Sequence, residues 1–209
     1  MDISSTIKRF EKLAVKCEKE YAGTFEVKNI SDIDYGKLSF YDLTSKRHSI
    51  REFGQEQIDY EKIDDAIKNS ILTPSACNRQ PWKVYLIRNE EVIKGTIELQ
   101  KGFKGNAPLL ILVTVSQSYY GSPKERYAAY VDGGMFGMTL IYSLTAVGLA
   151  TCTLNTTFDL ERDKKIRNYL EIPDDEVFAM LIAVGNYPES AKIPISKRID
   201  IEEVKKVVN

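Results

Sequence analysis

One histidine, His48, and three scattered cysteines, Cys17, Cys77 and Cys152, are all the imidazole and thiol side chains that the 209 residues contain. A multi-histidine metal site is therefore excluded. The cysteines form no CxxC pair, and their odd number fits reduced thiols of a cytoplasmic protein better than a disulfide framework. No Walker, EF-hand or GxSxG pattern occurs, and no G-x-G-x-x-G follows a strand, so a Rossmann dinucleotide site is unsupported. Net charge is close to absent as well: 29 basic against 30 acidic side chains leave a formal charge of −1. That balance gives no electrostatic reason to expect a nucleic acid or an anionic membrane as partner. Long hydrophobic runs are missing. The longest, Ala107 to Val115, falls far short of the ~20 residues of a membrane helix, and MDISSTIKRF lacks an apolar core of signal-peptide length. A chain so poor in nucleophiles and ligands either binds something or takes its chemistry from a cofactor.

What is present is ordinary globular material, 43% hydrophobic and 28% charged, long enough to bury roughly 70% of its unfolded surface in one core. Ile3, Ile7, Phe10, Ala14 and Cys17 recur at helical spacing, and residues 1–37 read as a helical extension ahead of a domain spanning 38–209. Helices are expected over 39–46, over 60–72 behind an Asp59 cap, over 125–148 and over 159–170 behind an Asp159 cap. Strands are expected over 83–87, 109–115 and 177–184, with an extended or helical arm over 199–208. The 125–148 helix is apolar on nearly every side, which predicts deep burial. Gly133, Gly134 and Gly137 inside it predict close backbone approach to another helix or to a partner subunit. Helices interspersed with few strands make the fold class α+β or α/β with one sheet.

Two clusters could carry chemistry. Arg47, Ser49 and Arg51 alternate, so in an extended segment they project to one side, where two guanidinium forks and a hydroxyl can cradle a phosphate monoester. The segment Thr73 to Trp82 is a loop stiffened by Pro74 and Pro81 between a helix and a strand. Its Ser75, Asn78 and Gln80 offer the donors and acceptors that fix a heteroaromatic ring by its edge. A solvated basic loop and a rigid connector are the plain alternatives for the two segments.

The combination SKRHSIREF at 45–53 and PSACNRQPW at 74–82 resembles the nitroreductase family of FMN-dependent oxidoreductases. The segment Asp132 to Leu149, the Gly185-Asn186-Tyr187-Pro188 turn and the stretch Arg198 to Val204 resemble the family's long central helix, closing strand and terminal arm. The resemblance implies an α+β sandwich with a central mixed, mostly antiparallel sheet flanked by helices, working as an intertwined homodimer with FMN in the subunit interface. It implies phosphate contacts from Arg47, His48, Ser49 and Arg198, with Arg51 on the pyrimidine side of the flavin. Ser75, Asn78 and Gln80 fall around the ring and ribityl chain, some of them given by the opposite subunit, and Asn155 falls near N5. No catalytic side chain and no metal is implied. NADH or NADPH would donate hydride, and a small electron-poor acceptor, nitroaromatic or quinone, would take the electrons in a ping-pong cycle. Other flavin chemistry on the same fold (dehalogenation, dehydrogenation or flavin fragmentation) and a flavin-binding protein without turnover are the alternatives. Residues 102–106 and 117–127, with Tyr119, Tyr120 and Tyr127, are expected to be lids over the acceptor.

Overall fold

Capping side chains mark where the helices begin. In the computed structural model, which describes residues 23–208, the Ser39 hydroxyl accepts from the Asp42 amide and opens α1, Phe40–Lys46. The Asp59 carboxylate accepts from the Glu61 amide and opens α2, Tyr60–Ser70. The Asn89 side chain takes the amides of Glu91 and Val92 at the start of α3, Glu90–Gln100. Asp159 takes the Arg162 amide at the start of α5, Leu160–Tyr169. Between them lies the longest helix, α4, Ala128–Ala146. The proposed helix over residues 3–17 lies outside the described residues. Among the described residues, no helix is long and apolar enough to cross a membrane.

The described chain separates into two compact units. The larger, Lys28–Ala191, is built on a four-stranded sheet of order β2-β3-β5-β4. Its strands are β2, Trp82–Ile87, β3, Leu109–Ser116, β4, Leu149–Leu154, and β5, Glu176–Asn186. All three pairings are antiparallel. β3 is buried at all eight positions, as a near-continuous branched apolar run demands of a central strand. One face of the sheet receives α2 and α4: Ile63, Ala66, Ile111, Val113, Phe136, Leu140, Leu144, Ile182 and Val184 form one core cluster. Helices α3 and α5 touch where Gly95 leaves room for the Tyr169 ring.

The smaller unit comprises the described residues up to Val27 and those from Lys192 on. The strand β1, Thr24–Lys28, pairs with β6, Ser190–Pro194, and the chain closes in a single turn, α6, Ile201–Val204. Ile199, Ile201, Val204, Val207 and Val208 are all exposed.

The central helix corrects one expectation. Phe136, Leu140 and Leu144 are fully buried, but Val131 is 57% exposed and Met135 39% exposed, so α4 is covered on one side only. Its glycines also serve a different neighbour. A methyl on Gly133 would strike Val115 and Ala179, and one on Gly137 would strike Met180. These two glycines bring the helix down onto β3 and β5, not onto another helix. Gly134 faces open space.

Candidate functional site

The basic segment is held as an additional edge of the sheet. Ser49 forms a parallel bridge with Thr151, and the Ile50 amide donates to the Thr151 carbonyl at 2.9 Å. Ile50 is buried. The alternation expected for 47–51 is therefore anchored on its apolar member, with Arg47, His48 and Ser49 half-buried and Arg51 exposed. The Arg51 guanidinium lies 3.5 Å from the Ser49 carbonyl oxygen. Burial pushes the Cys152 thiol up, and the charges of Arg51 and Arg47 oppose that rise. Arg47 also acts on the buried Tyr187 hydroxyl.

The next residues are fastened on the far side. The Phe53 amide donates to Asn106 Oδ1 at 2.9 Å, and Asn106 Nδ2 donates back to the Phe53 carbonyl. Gly105 packs so closely on the Arg51 carbonyl that a methyl there would overlap it. Gln100, itself buried, accepts from the amides of Gly102 and Phe103 at 2.7 and 2.9 Å and donates to the Asn155 carbonyl at 3.3 Å. Asn155 is exposed at the end of β4, where its Oδ1 accepts from the Thr157 amide. The 102–106 segment is thus sewn to the site at both ends, which a free lid would not be.

The second cluster is a strained turn. Cys77, Asn78 and Gln80 all have positive φ, between 50° and 55°, a region that costs a residue with a side chain roughly 1–2 kcal/mol. The Ser75 carbonyl accepts from the Asn78 amide at 2.9 Å, and its hydroxyl accepts from the Gln80 amide at 3.0 Å. Gln80 Nε2 donates to Asn78 Oδ1 at 3.2 Å. Both ends are tied down. The Ala76 amide donates to the Asp132 carboxylate, and the Pro81 carbonyl accepts from Ser116 at 3.0 Å. Arg79 pairs with Glu125 at 2.6 Å and lies over the Tyr120 ring. Tyr120, read from sequence as part of a lid, is anchored: its hydroxyl donates to Asp132 at 2.7 Å. Burial and the Asp132 carboxylate push that hydroxyl's pKa up. Tyr119 and Tyr127 remain exposed.

The register fixes where the two clusters stand. Ser49 lies beside Thr151, which pairs with Val184 and through it with Leu109, whereas Trp82 pairs with Val115. From the 49–51 segment to β2 is four strand spacings of ~4.8 Å, and from the Leu109 row to the Val115 row is six rises of ~3.3 Å, a diagonal of roughly 27 Å. The clusters occupy opposite corners of the sheet. Arg198 belongs to the smaller unit, where it is exposed just ahead of α6.

Sequence reasoning missed the supporting roles of Gln100 and Asp132, and it read Gly105 and Asn106 only as parts of a lid. Only Asp132 carried a signal, as a lone acid in an apolar helix. Among the described residues no group of His, Cys, Asp and Glu could hold a metal ion.

Human iodotyrosine deiodinase 1 is 26% identical over 196 residues, covering 79% of this chain and 67% of the deiodinase. A nitroreductase family protein from Streptococcus pneumoniae superposes with a TM-score of 0.67 at 23% identity, covering 81% of this chain and all of that one. A nitroreductase-like protein from Streptococcus mutans gives 0.71 at 16% identity, covering 81% and 98%. The nitroreductase family model matches residues 44–101 and 96–186, a span that contains both corners of the sheet, the latched turn and the central helix; the chain belongs to the nitroreductase family.

Proposed function

We propose that this protein is an FMN-dependent oxidoreductase that works as a homodimer, each cofactor site being assembled from the basic corner of one copy and the strained turn of the other. The observation that carries this is the diagonal separation of the two clusters, which is longer than an extended FMN. The donor sets suit opposite ends of that molecule. Arg47 and Ser49 offer charge-assisted bonds to a phosphate dianion, while Ser75, Asn78 and Gln80 offer amide and hydroxyl groups to a ring edge. FMN, when bound, supplies the hydride-accepting and electron-donating centre.

The chain's own residues then have distinct tasks. Arg47, His48 and Ser49 would hold a charge that stays constant through turnover, which is binding without rate enhancement. Arg51 would face the pyrimidine side of the flavin and stabilise the negative charge that reduction places there. Asn155, whose backbone carbonyl Gln100 holds, would face the flavin ring. NADH or NADPH is the proposed donor, and an electron-poor small molecule the acceptor.

The uncovered side of α4 supports a second copy as the partner. Val131, Met135 and the open Gly134 lie along the same helix as a groove of about 550 Å³ lined by Phe40, Leu43, Pro74, Met138 and Tyr142. A contiguous apolar face of this kind marks an interaction surface.

The testing measurement is the cofactor content and mass of the purified protein. FMN at about one per chain and a dimer mass by light scattering are expected; FAD, no flavin after reconstitution, or a monomer with FMN still bound would overturn the reading. A second reading, reductive dehalogenation, is favoured by the iodotyrosine deiodinase relatives. Comparing nitroaromatic reduction with halide release from a halotyrosine under the same reductant separates the two.

A further inference from the structure

Asp132 is a carboxylate at 2% exposure inside the apolar central helix. Burying such a group is costly unless its oxygens are filled with hydrogen bonds. They are filled by two partners distant in sequence: the Ala76 amide, 3.2 and 3.1 Å from the two oxygens, and the Tyr120 hydroxyl at 2.7 Å. One side chain therefore ties both the 74–82 turn and the 117–127 loop to α4.

The turn needs that tie. Left-handed residues other than glycine persist only where their surroundings over-determine them, and here three of them fall within four positions. The bonds among Ser75, Asn78 and Gln80 are internal, so they shape the turn but cannot aim it. Arg79 reaches Glu125, which lies on the loop that Tyr120 itself joins to Asp132. At the N-terminal end of the turn, Asp132 is the link to the rigid helix, and the bonded atom, the Ala76 amide, is two residues from Asn78.

We propose that Asp132 is a positioning residue: through the Ala76 amide it holds Asn78 and Gln80 in the left-handed conformation that meets the cofactor ring, so that this half of the site is formed before the cofactor arrives. The proposal rests on the FMN reading above and deepens it. It also assigns Tyr120 the task of orienting the carboxylate, with no contact to an acceptor.

The test uses the full-length protein as wild type, Asp132→Asn and Tyr120→Phe, with FMN titrated by fluorescence quenching, the bound flavin's visible spectrum and midpoint potential recorded, and melting of the cofactor-free protein followed by circular dichroism. Asp132→Asn keeps the shape and loses the charged acceptor. It is expected to weaken FMN binding about tenfold or more, to alter the band structure of the bound flavin and to shift its potential. Tyr120→Phe leaves the carboxylate on Ala76 and is expected to produce smaller changes in the same direction. A folded Asp132→Asn protein with a lower melting temperature but unchanged affinity, spectrum and potential would make Asp132 a merely structural acid and overturn the proposal. Should Asp132→Asn fail to fold, Tyr120→Phe decides: altered affinity and potential support the latch, and wild-type values overturn it. A wild-type protein that binds no FMN overturns the cofactor reading itself, a result distinct from any difference between the variants.

Discussion

The Ile50 amide and the Thr151 carbonyl, 2.9 Å apart, make the basic segment part of the sheet although a hundred residues of chain separate them. Arg47 and Arg51 are consequently mounted on a rigid edge, and their proposed roles can be told apart. Arg47→Ala is expected to loosen FMN by ~1.5–3 kcal/mol, the range for a hydrogen bond to a charged group, with activity largely restored at saturating FMN. Arg51→Ala is expected to lower the flavin midpoint potential even when the site is full. Dissociation constants and anaerobic redox titrations on both variants check this. An unchanged potential in Arg51→Ala would make both arginines phosphate ligands.

Gly105→Ala probes the fastening of that edge. A methyl at Gly105 meets the Arg51 carbonyl oxygen, which is backbone and cannot swing aside, and the Phe103 ring as well. Overpacking of this kind costs about 1–3 kcal/mol. Urea denaturation is expected to show that loss, accompanied by a lower midpoint potential of the bound flavin because Arg51 is displaced.

Alkaline stability reports on a different cluster. The Tyr85 hydroxyl, pushed up to about 12 by burial and by the Glu176 carboxylate it donates to, stays protonated in the folded chain above its ordinary range. Its contribution is fully present below pH ~10, the unfolded value, and is lost as pH rises toward 12 because the unfolded chain releases the proton first. Denaturation midpoints of wild type are expected to fall between pH 10 and 11.5 more steeply than those of Tyr85→Phe. Parallel curves would place the alkaline loss elsewhere.

The exposed side of α4 predicts assembly. Val131→Glu changes a residue that is 57% exposed in the described chain, so the core is untouched. Light scattering is expected to show a monomer with native circular dichroism and little retained FMN. A stable dimer would place the interface elsewhere.

Much of this architecture was legible in the residues. Asp59 and Asp159 announced their helices, the branched run at 109–115 announced a buried strand, and 45–53 with 74–82 announced the family. β4 was not legible: LATCTL has no alternation, since both its faces are covered for most of its length, and its start depends on Gly148 at φ +80°. α3 was missed because Gly95 and Thr96 interrupt a weak apolar stripe, the glycine being required by the Tyr169 ring. The depth of α4 was overread because composition shows that a face is apolar and not what covers it. Gln100 and Asn106 act by bonding backbone far away in sequence, which no local pattern encodes.

The diagonal placement of the two clusters has a genetic consequence. In the proposed dimer, damage to the basic corner and damage to the turn reside in different halves of any one site. Mixing an Arg47→Ala copy with an Asn78→Ala copy, each holding cofactor weakly by itself, would place both lesions in one site of the mixed dimer and leave the other intact. At a limiting FMN concentration two impaired proteins would then complement each other in solution, recovering flavin and turnover that neither shows alone. A chain that built its whole site by itself could never do so.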